Sequence, residues 1–133
     1  MLCYITHKGM PTLGQHYTRE EIAAEHGGGT LELLPTVAGK VVCACLRTDP
    51  EYNPEAPRVI LPGRGREIEY SAGLLVQQRG PLPIYLMRAP DAWEFVGVYA
   101  VESSTRFKAD ITHYELQTGR KVTRAIFMKE VLK

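Results

Sequence analysis

Six consecutive apolar residues, Val41-Val42-Cys43-Ala44-Cys45-Leu46, constrain the fold more than any other stretch of this chain. The run is short and bounded by Gly39-Lys40 and Arg47-Thr48, so it reads as a strand. A strand alternates its side chains between two faces, and here both sets are apolar, which calls for cover on both sides. Cys43 and Cys45 then point to one face as two buried small hydrophobes. A metal pair there needs two further ligands, and none stands at zinc-like spacing. Three cysteines, an odd number, argue against a disulfide framework.

Around this strand the chain is punctuated by turn residues. Tyr17-Thr18-Arg19-Glu20-Glu21-Ile22 opens a helix, with Thr18 as N-cap and Glu21 completing a capping box. His26-Gly27-Gly28-Gly29 ends it. Thr48 to Pro57, with three prolines, reads as an ordered connecting loop. Val59-Ile60-Leu61 predicts a short strand, and residues 67–78 predict a helix with Ile68, Ala72, Leu75 and Val76 on one stripe. Gly80-Pro81 stops that helix. Residues 83–87 and 93–102 predict two antiparallel strands joined around Ala89-Pro90-Asp91-Ala92. In the second, Phe95, Gly97, Tyr99 and Val101 are expected to share one face, with Val96, Val98 and Ala100 on the other. A helix over 109–117, ended by Gly119, and a strand over 122–128 finish the chain, with room for a further strand near the N-terminus.

Most of these strands are too close in sequence for parallel crossovers. The expected fold is α+β: a curved mixed sheet or partly open pseudo-barrel with two or three packed helices. At 133 residues the chain makes one domain, residues 1–133, with a core over about 15–130. Met1 to Lys8 lacks the apolar core and cleavage site of a signal peptide. No apolar stretch approaches the roughly 18 residues of a membrane span. A soluble, cytoplasmic protein is the expectation.

Charge is unevenly spread. Residues 1–57 carry four basic against seven acidic residues, and residues 58–133 carry twelve against eight. Arginine supplies eight of the later twelve, which suits bidentate phosphate or base-edge contacts. Pro62-Gly63-Arg64-Gly65-Arg66 lies between a strand and a helix start, where free amides, a helix dipole and two guanidinium groups make an anion site. It is neither a Walker loop nor a dinucleotide fingerprint, and a solvated connection is the plainer reading. His26-Gly27-Gly28-Gly29 matches an esterase oxyanion loop on paper. There is no Gly-x-Ser-x-Gly elbow to use it, so a helix cap and tight turn stand first. Trp93 is the only tryptophan. It reads either as a core anchor or as a stacking surface for a base, with Tyr85, Tyr99 and Arg88 as neighbours. The histidines His7, His16, His26 and His113 share no ligand spacing, and no acid pair or His–Cys pair stands out as catalytic. No cofactor and no metal are expected.

Taken together, Tyr17-Thr18-Arg19-Glu20-Glu21-Ile22, His26-Gly27-Gly28-Gly29, Leu34-Pro35-Thr36 and Gly39-Lys40-Val41-Val42 form one half of a pattern. Asn53-Pro54-Glu55-Ala56-Pro57, Gly63-Arg64-Gly65, Ala72-Gly73-Leu74-Leu75 and Trp93-Glu94-Phe95-Val96-Gly97-Val98-Tyr99 form the other. Over residues 15–130 this resembles a domain near the N-terminus of some bacterial HNH-type, modification-dependent restriction endonucleases, related to SRA and other PUA-like modified-base readers. The resemblance implies a curved-sheet pseudo-barrel that reads duplex DNA, with a modified base flipped into a pocket. Trp93, Tyr99 and His26 would furnish that pocket, and Arg19, Arg64, Arg66, Arg88, Arg106, Arg120 and Arg124 would complete the DNA-binding set. The chain carries no HNH constellation. It is therefore expected to be a reading head without catalysis of its own, serving a restriction or defence system with a fused or associated HNH nuclease. Two other binding classes stay open, an RNA-binding PUA-like module and a protein-interaction domain docking through Arg47 to Pro57. An enzyme acting on a nucleotide comes third.

Overall fold

Local signals set the ends of the helices. The computed structural model describes residues 11–132. Helix α1 (Arg19–His26) follows Thr18, whose Oγ1 accepts from the Glu21 amide at 3.1 Å while Glu21 Oε1 accepts from the Thr18 amide at 2.8 Å. This reciprocal box satisfies two donors that a helix start leaves open, and such a cap contributes about 1 kcal/mol. Gly27 ends the helix at φ 92°. Gly28 repeats the left-handed backbone at φ 83°, where an added Cβ would stand 2.7 Å from Pro35 Cβ. The glycine run is thus a turn pressed against Pro35, the cap expected from sequence.

The strands are β1 (His16–Tyr17), β2 (Thr36–Val37), β3 (Lys40–Val41), β4 (Ala44–Leu46), β5 (Val59–Ile60), β6 (Leu82–Ala89), β7 (Ala92–Thr105) and β8 (Ala125–Leu132). Helix α2 (Arg66–Gln77) separates β5 from β6, and α3 (Lys108–Thr118), capped by left-handed Gly119, separates β7 from β8. The main sheet runs β4-β6-β7-β8-β5, with β1 paired to β7. It is mixed and curled and does not close into a barrel. β7 is its spine. Residues 93–94 pair with both β1 and β6, and residues 98–105 pair with β8. Among the described strands only β4 and β6 run parallel, joined by a connection long enough to hold β5 and α2. A strand ahead of the first helix is present as β1. Residues 1–10, where His7 lies, fall outside the described residues.

Three apolar clusters explain the double-sided strands. One face of the sheet packs Ala44, Leu46, Ile84, Leu86, Ile126 and Met128 against Ala72 and Leu75 of α2. The opposite face holds Cys43, Cys45, Tyr85, Trp93 and Phe95 with Ile22 of α1. At the far end of that face, Val59, Leu61 and Ala125 sit beneath Ile111 and Tyr114 of α3. Cys43 and Cys45 are free and buried, and the neighbouring Cys45 together with burial pushes the Cys43 thiol up. Gln78, just past α2, reinforces the α2 side: its Oε1 accepts from the Val41 amide and its Nε2 donates to the Val41 carbonyl, each at 2.9 Å.

One expectation about β7 is overturned. Ile84 pairs with Gly97 but Tyr85 pairs with Phe95, so Val96 is an extra residue on the β7 side of the ladder. A bulge of this kind breaks strict alternation. Gly97 at φ 133° supplies backbone that a side chain would resist. In consequence Trp93, Phe95 and Val98 fall on the α1 side, whereas Val96, Tyr99 and Val101 fall on the α2 side. Phe95 and Tyr99 do not share a face.

Candidate nucleic-acid interface

Hydrogen bonds between distant segments bring four arginines to one edge. The loop after β5 is tied to the start of β8, because Pro62 O accepts from the Thr123 amide at 2.9 Å and Thr123 Oγ1 donates to Gly63 O at 3.2 Å. Arg64 and Arg124 are the next residues along the chain from the two sides of this tie. Arg66 opens α2, and the Gly65 amide ahead of it donates to Glu69 Oε2 at 2.9 Å. Arg106 and Arg124 flank the Thr105–Ala125 rung, the end of the β7–β8 ladder. The four therefore come from three chain segments, and none is in an ion pair among the described residues. Burial pulls Arg124 down from the ordinary arginine range, the nearby Arg106 charge adds to that, and Glu69 opposes it. Arginine remains charged through such shifts, so the edge is a standing concentration of positive charge with free guanidinium forks.

On the inner side of the same helix start lies a cleft of ≈290 Å³, lined by Leu31, Glu32, Leu33, Leu34, Glu67, Ile68 and Ser71. At about 30 Å³ per water this is room for roughly ten heavy atoms, the size of a nucleobase. Its walls are apolar apart from two carboxylates and a hydroxyl, and a carboxylate accepts from an amino group. Leu31 stands at its mouth, 92% exposed.

The other residues read from sequence separate into four places. Arg19, His26 and Trp93 sit at the α1 end. The Arg19 amide donates to Asp91 Oδ1 at 2.9 Å, its Nη2 donates to Glu32 O at 2.8 Å, and its guanidinium covers the Trp93 ring. Trp93 is 7% exposed and packs with Phe95 and Tyr85. Arg19 Nε and Trp93 Nε1 are buried without partners among the described residues. A second cleft of ≈460 Å³ runs past them, with Arg47, Met87 and Thr30 in its walls. His26 Nε2 lies 2.7 Å from the Tyr85 hydroxyl, and burial holds its pKa below the ordinary histidine value, partly offset by Glu25. Tyr99 is on the opposite face of the sheet, in the α2-side core, with its hydroxyl pushed up by burial and by Glu130. The structure thus does not join Trp93 and Tyr99 in one pocket.

Arg88 is exposed near the β6–β7 turn and pairs with Glu94 at 2.7 Å. Arg120 is turned inward. Its Nε donates to Glu51 O at 2.6 Å, Nη2 to Tyr52 O and Leu61 O at 2.7 Å each, and Nη1 to Lys121 O at 3.1 Å. Together with Asn53 Oδ1, which accepts from the Leu61 amide at 2.8 Å, it clamps the 47–57 loop to the end of β5. That is a fold-building task for a residue expected on DNA.

Sequence reasoning missed the ≈290 Å³ cleft, because Glu32 and Glu67 are far apart in the chain and meet only through the fold. It also passed over Tyr70 and Phe107, residues that are 62% and 70% exposed beside the arginine edge. Tyr70 had a legible signal, since it falls off the Ile68-Ala72-Leu75-Val76 stripe and must face out.

No protein-family model matches the chain. A search of curated proteins finds no match either. Among solved structures, the SRA domain of SUVH5 in complex with hemimethylated CG DNA superposes with a TM-score of 0.62 over 92% of this chain and 90% of that one, at 12% identity. With the curled mixed sheet and the three helices already described, that likeness shows that the chain has the SRA-like fold.

Proposed function

We propose that this domain binds duplex DNA along its arginine edge and reads a modified base, without catalysis of its own. The observation that carries the reading is the convergence of Arg64, Arg66, Arg106 and Arg124, from three chain segments, beside a base-sized cleft. Support comes also from the fold, which it shares with a domain solved on hemimethylated DNA. The arginines meet the phosphate backbone, which positions the duplex without reading it. The Leu31–Leu34 and α2 cleft takes an extruded base. Glu32 or Glu67 accepts from its exocyclic amino group, and the apolar wall tests for an added methyl. Cytosine or adenine derivatives fit this chemistry better than thymine, which offers no amino donor. A fused or associated HNH nuclease in a restriction or defence system belongs to the same reading.

The test is a binding screen on matched DNA duplexes that carry unmodified, 5-methylcytosine, 5-hydroxymethylcytosine, N6-methyladenine or phosphorothioate sites, with the RNA duplex of the same sequence beside them. Tighter binding to one modified duplex supports the reading. Equal binding to all of them leaves a sequence-blind DNA binder, and preference for the matching RNA duplex overturns the choice of DNA.

A further inference from the structure

We infer that the arginine edge also takes unpaired nucleotides, with Tyr70 and Phe107 as the rings on which their bases stack; this rests on the DNA-binding reading above. Two large aromatic rings stand in solvent at this edge and nowhere join a core cluster. Each is placed by the residues that place an arginine. Tyr70 follows Arg66 by four positions on α2, which puts both on one helix face. Phe107 follows Arg106 directly, and its amide donates to Thr105 Oγ1 at 3.0 Å, so the ring leaves a fixed backbone at the head of α3.

The local charge fits a polyanion. Lys108 adds to the four arginines. The acids in the first turns of α2 and α3 are Glu67, Glu69 and Asp110. Glu69 is engaged by the Gly65 amide and Asp110 by the Thr105 hydroxyl, while Glu67 faces the cleft. Cationic forks interleaved with exposed rings are the chemistry that binds single strands, because every base has a π-face and every linkage a charge. A closed duplex keeps its base faces stacked on one another, where neither ring can reach them. The chemical class that uses both features is DNA with an unpaired tail or gap beside the duplex.

The experiment is fluorescence anisotropy with the full chain and four probes: a blunt duplex, the same duplex with a short single-stranded tail, the tail strand alone, and a tailed duplex with abasic tail positions. The tail is expected to tighten binding about fivefold or more, the lower end of one base–aromatic stack. The gain should vanish with the abasic tail and in the Tyr70→Ala/Phe107→Ala variant, while the blunt duplex binds that variant as before. Tyr70→Phe should keep it. Both rings are solvent-exposed, and unchanged Trp93 fluorescence checks that the variants fold. A wild-type tail gain of less than twofold, or a gain that survives the double substitution, overturns the inference while leaving duplex binding intact. Binding of the tail strand without binding of the blunt duplex overturns the duplex reading and keeps this one. Binding of none of the probes overturns both.

Discussion

The Arg19 guanidinium carbon lies 5.1 Å from the centroid of the Trp93 ring, and the same guanidinium donates to the Glu32 carbonyl. One side chain thus ties the start of α1, the loop after the glycine turn and the aromatic cluster on β7. Asp91 at the β6–β7 turn completes the tie by accepting from the Arg19 amide. Trp93, for which the sequence left both an anchoring and a base-stacking role open, is buried and held by these contacts.

Trp93→Ala is expected to cost about 3–5 kcal/mol of stability through reduced burial and a cavity. Binding per folded molecule should change little. Urea unfolding followed by circular dichroism measures the first, and titration of the folded fraction the second. Trp93 is the sole tryptophan, so its emission should be blue-shifted and indifferent to saturating DNA. A variant of native stability that no longer binds would make Trp93 a stacking residue.

Arg120→Ala removes a guanidinium that serves four carbonyls. The expected loss is about 2–4 kcal/mol, since hydrogen bonds to a charged group are each worth roughly 1.5–3 and are not additive. Lysine should not rescue, because its ammonium lacks the planar fork. Limited proteolysis within residues 47–57 should accelerate in both variants. If DNA affinity fell with stability untouched, Arg120 would belong on the DNA.

How far the sequence foretold this arrangement varies with the range of the interaction. The capping box at Thr18, the α2 stripe, the Gly119 cap and the β6–β7 hairpin rest on neighbours within a few positions, and all were legible. The β2–β3 hairpin was not, because Ala38 takes φ 51° ahead of Gly39 and alanine carries no turn signal. The Val96 bulge was hidden for a different reason. Alternation assumes an unbroken ladder, and only the partner strand reveals the extra residue. The inward turn of Arg120 depends on carbonyls about 60 to 70 positions away, beyond any local pattern.

His26 gives the fold an acid-sensitive element. Its folded-state pKa is depressed by burial, so protonation favours the unfolded chain. The contribution is intact above the ordinary histidine value of 6.5, is lost as pH falls below it, and levels off below the folded-state value. His26→Gln should flatten the stability profile between about pH 7 and 5 relative to wild type. Identical profiles would show that His26 titrates alike in both states.

Arg64→Ala/Arg66→Ala and Arg106→Ala/Arg124→Ala should each weaken modified and unmodified duplexes to the same degree, because phosphates carry no base identity. Each pair should reduce the slope of log affinity against log salt by about 0.9 for every phosphate no longer neutralised. Weakening of the modified duplex alone would move those arginines into the reading pocket.

The central claim is tested most directly by titrating the chain with one duplex, modified and unmodified, across a series of salt concentrations. The account predicts binding to both at low salt, log affinity that falls linearly with log salt on parallel lines, and a constant offset that favours the modified duplex. No binding of either duplex at low salt, or affinity indifferent to salt, would contradict it.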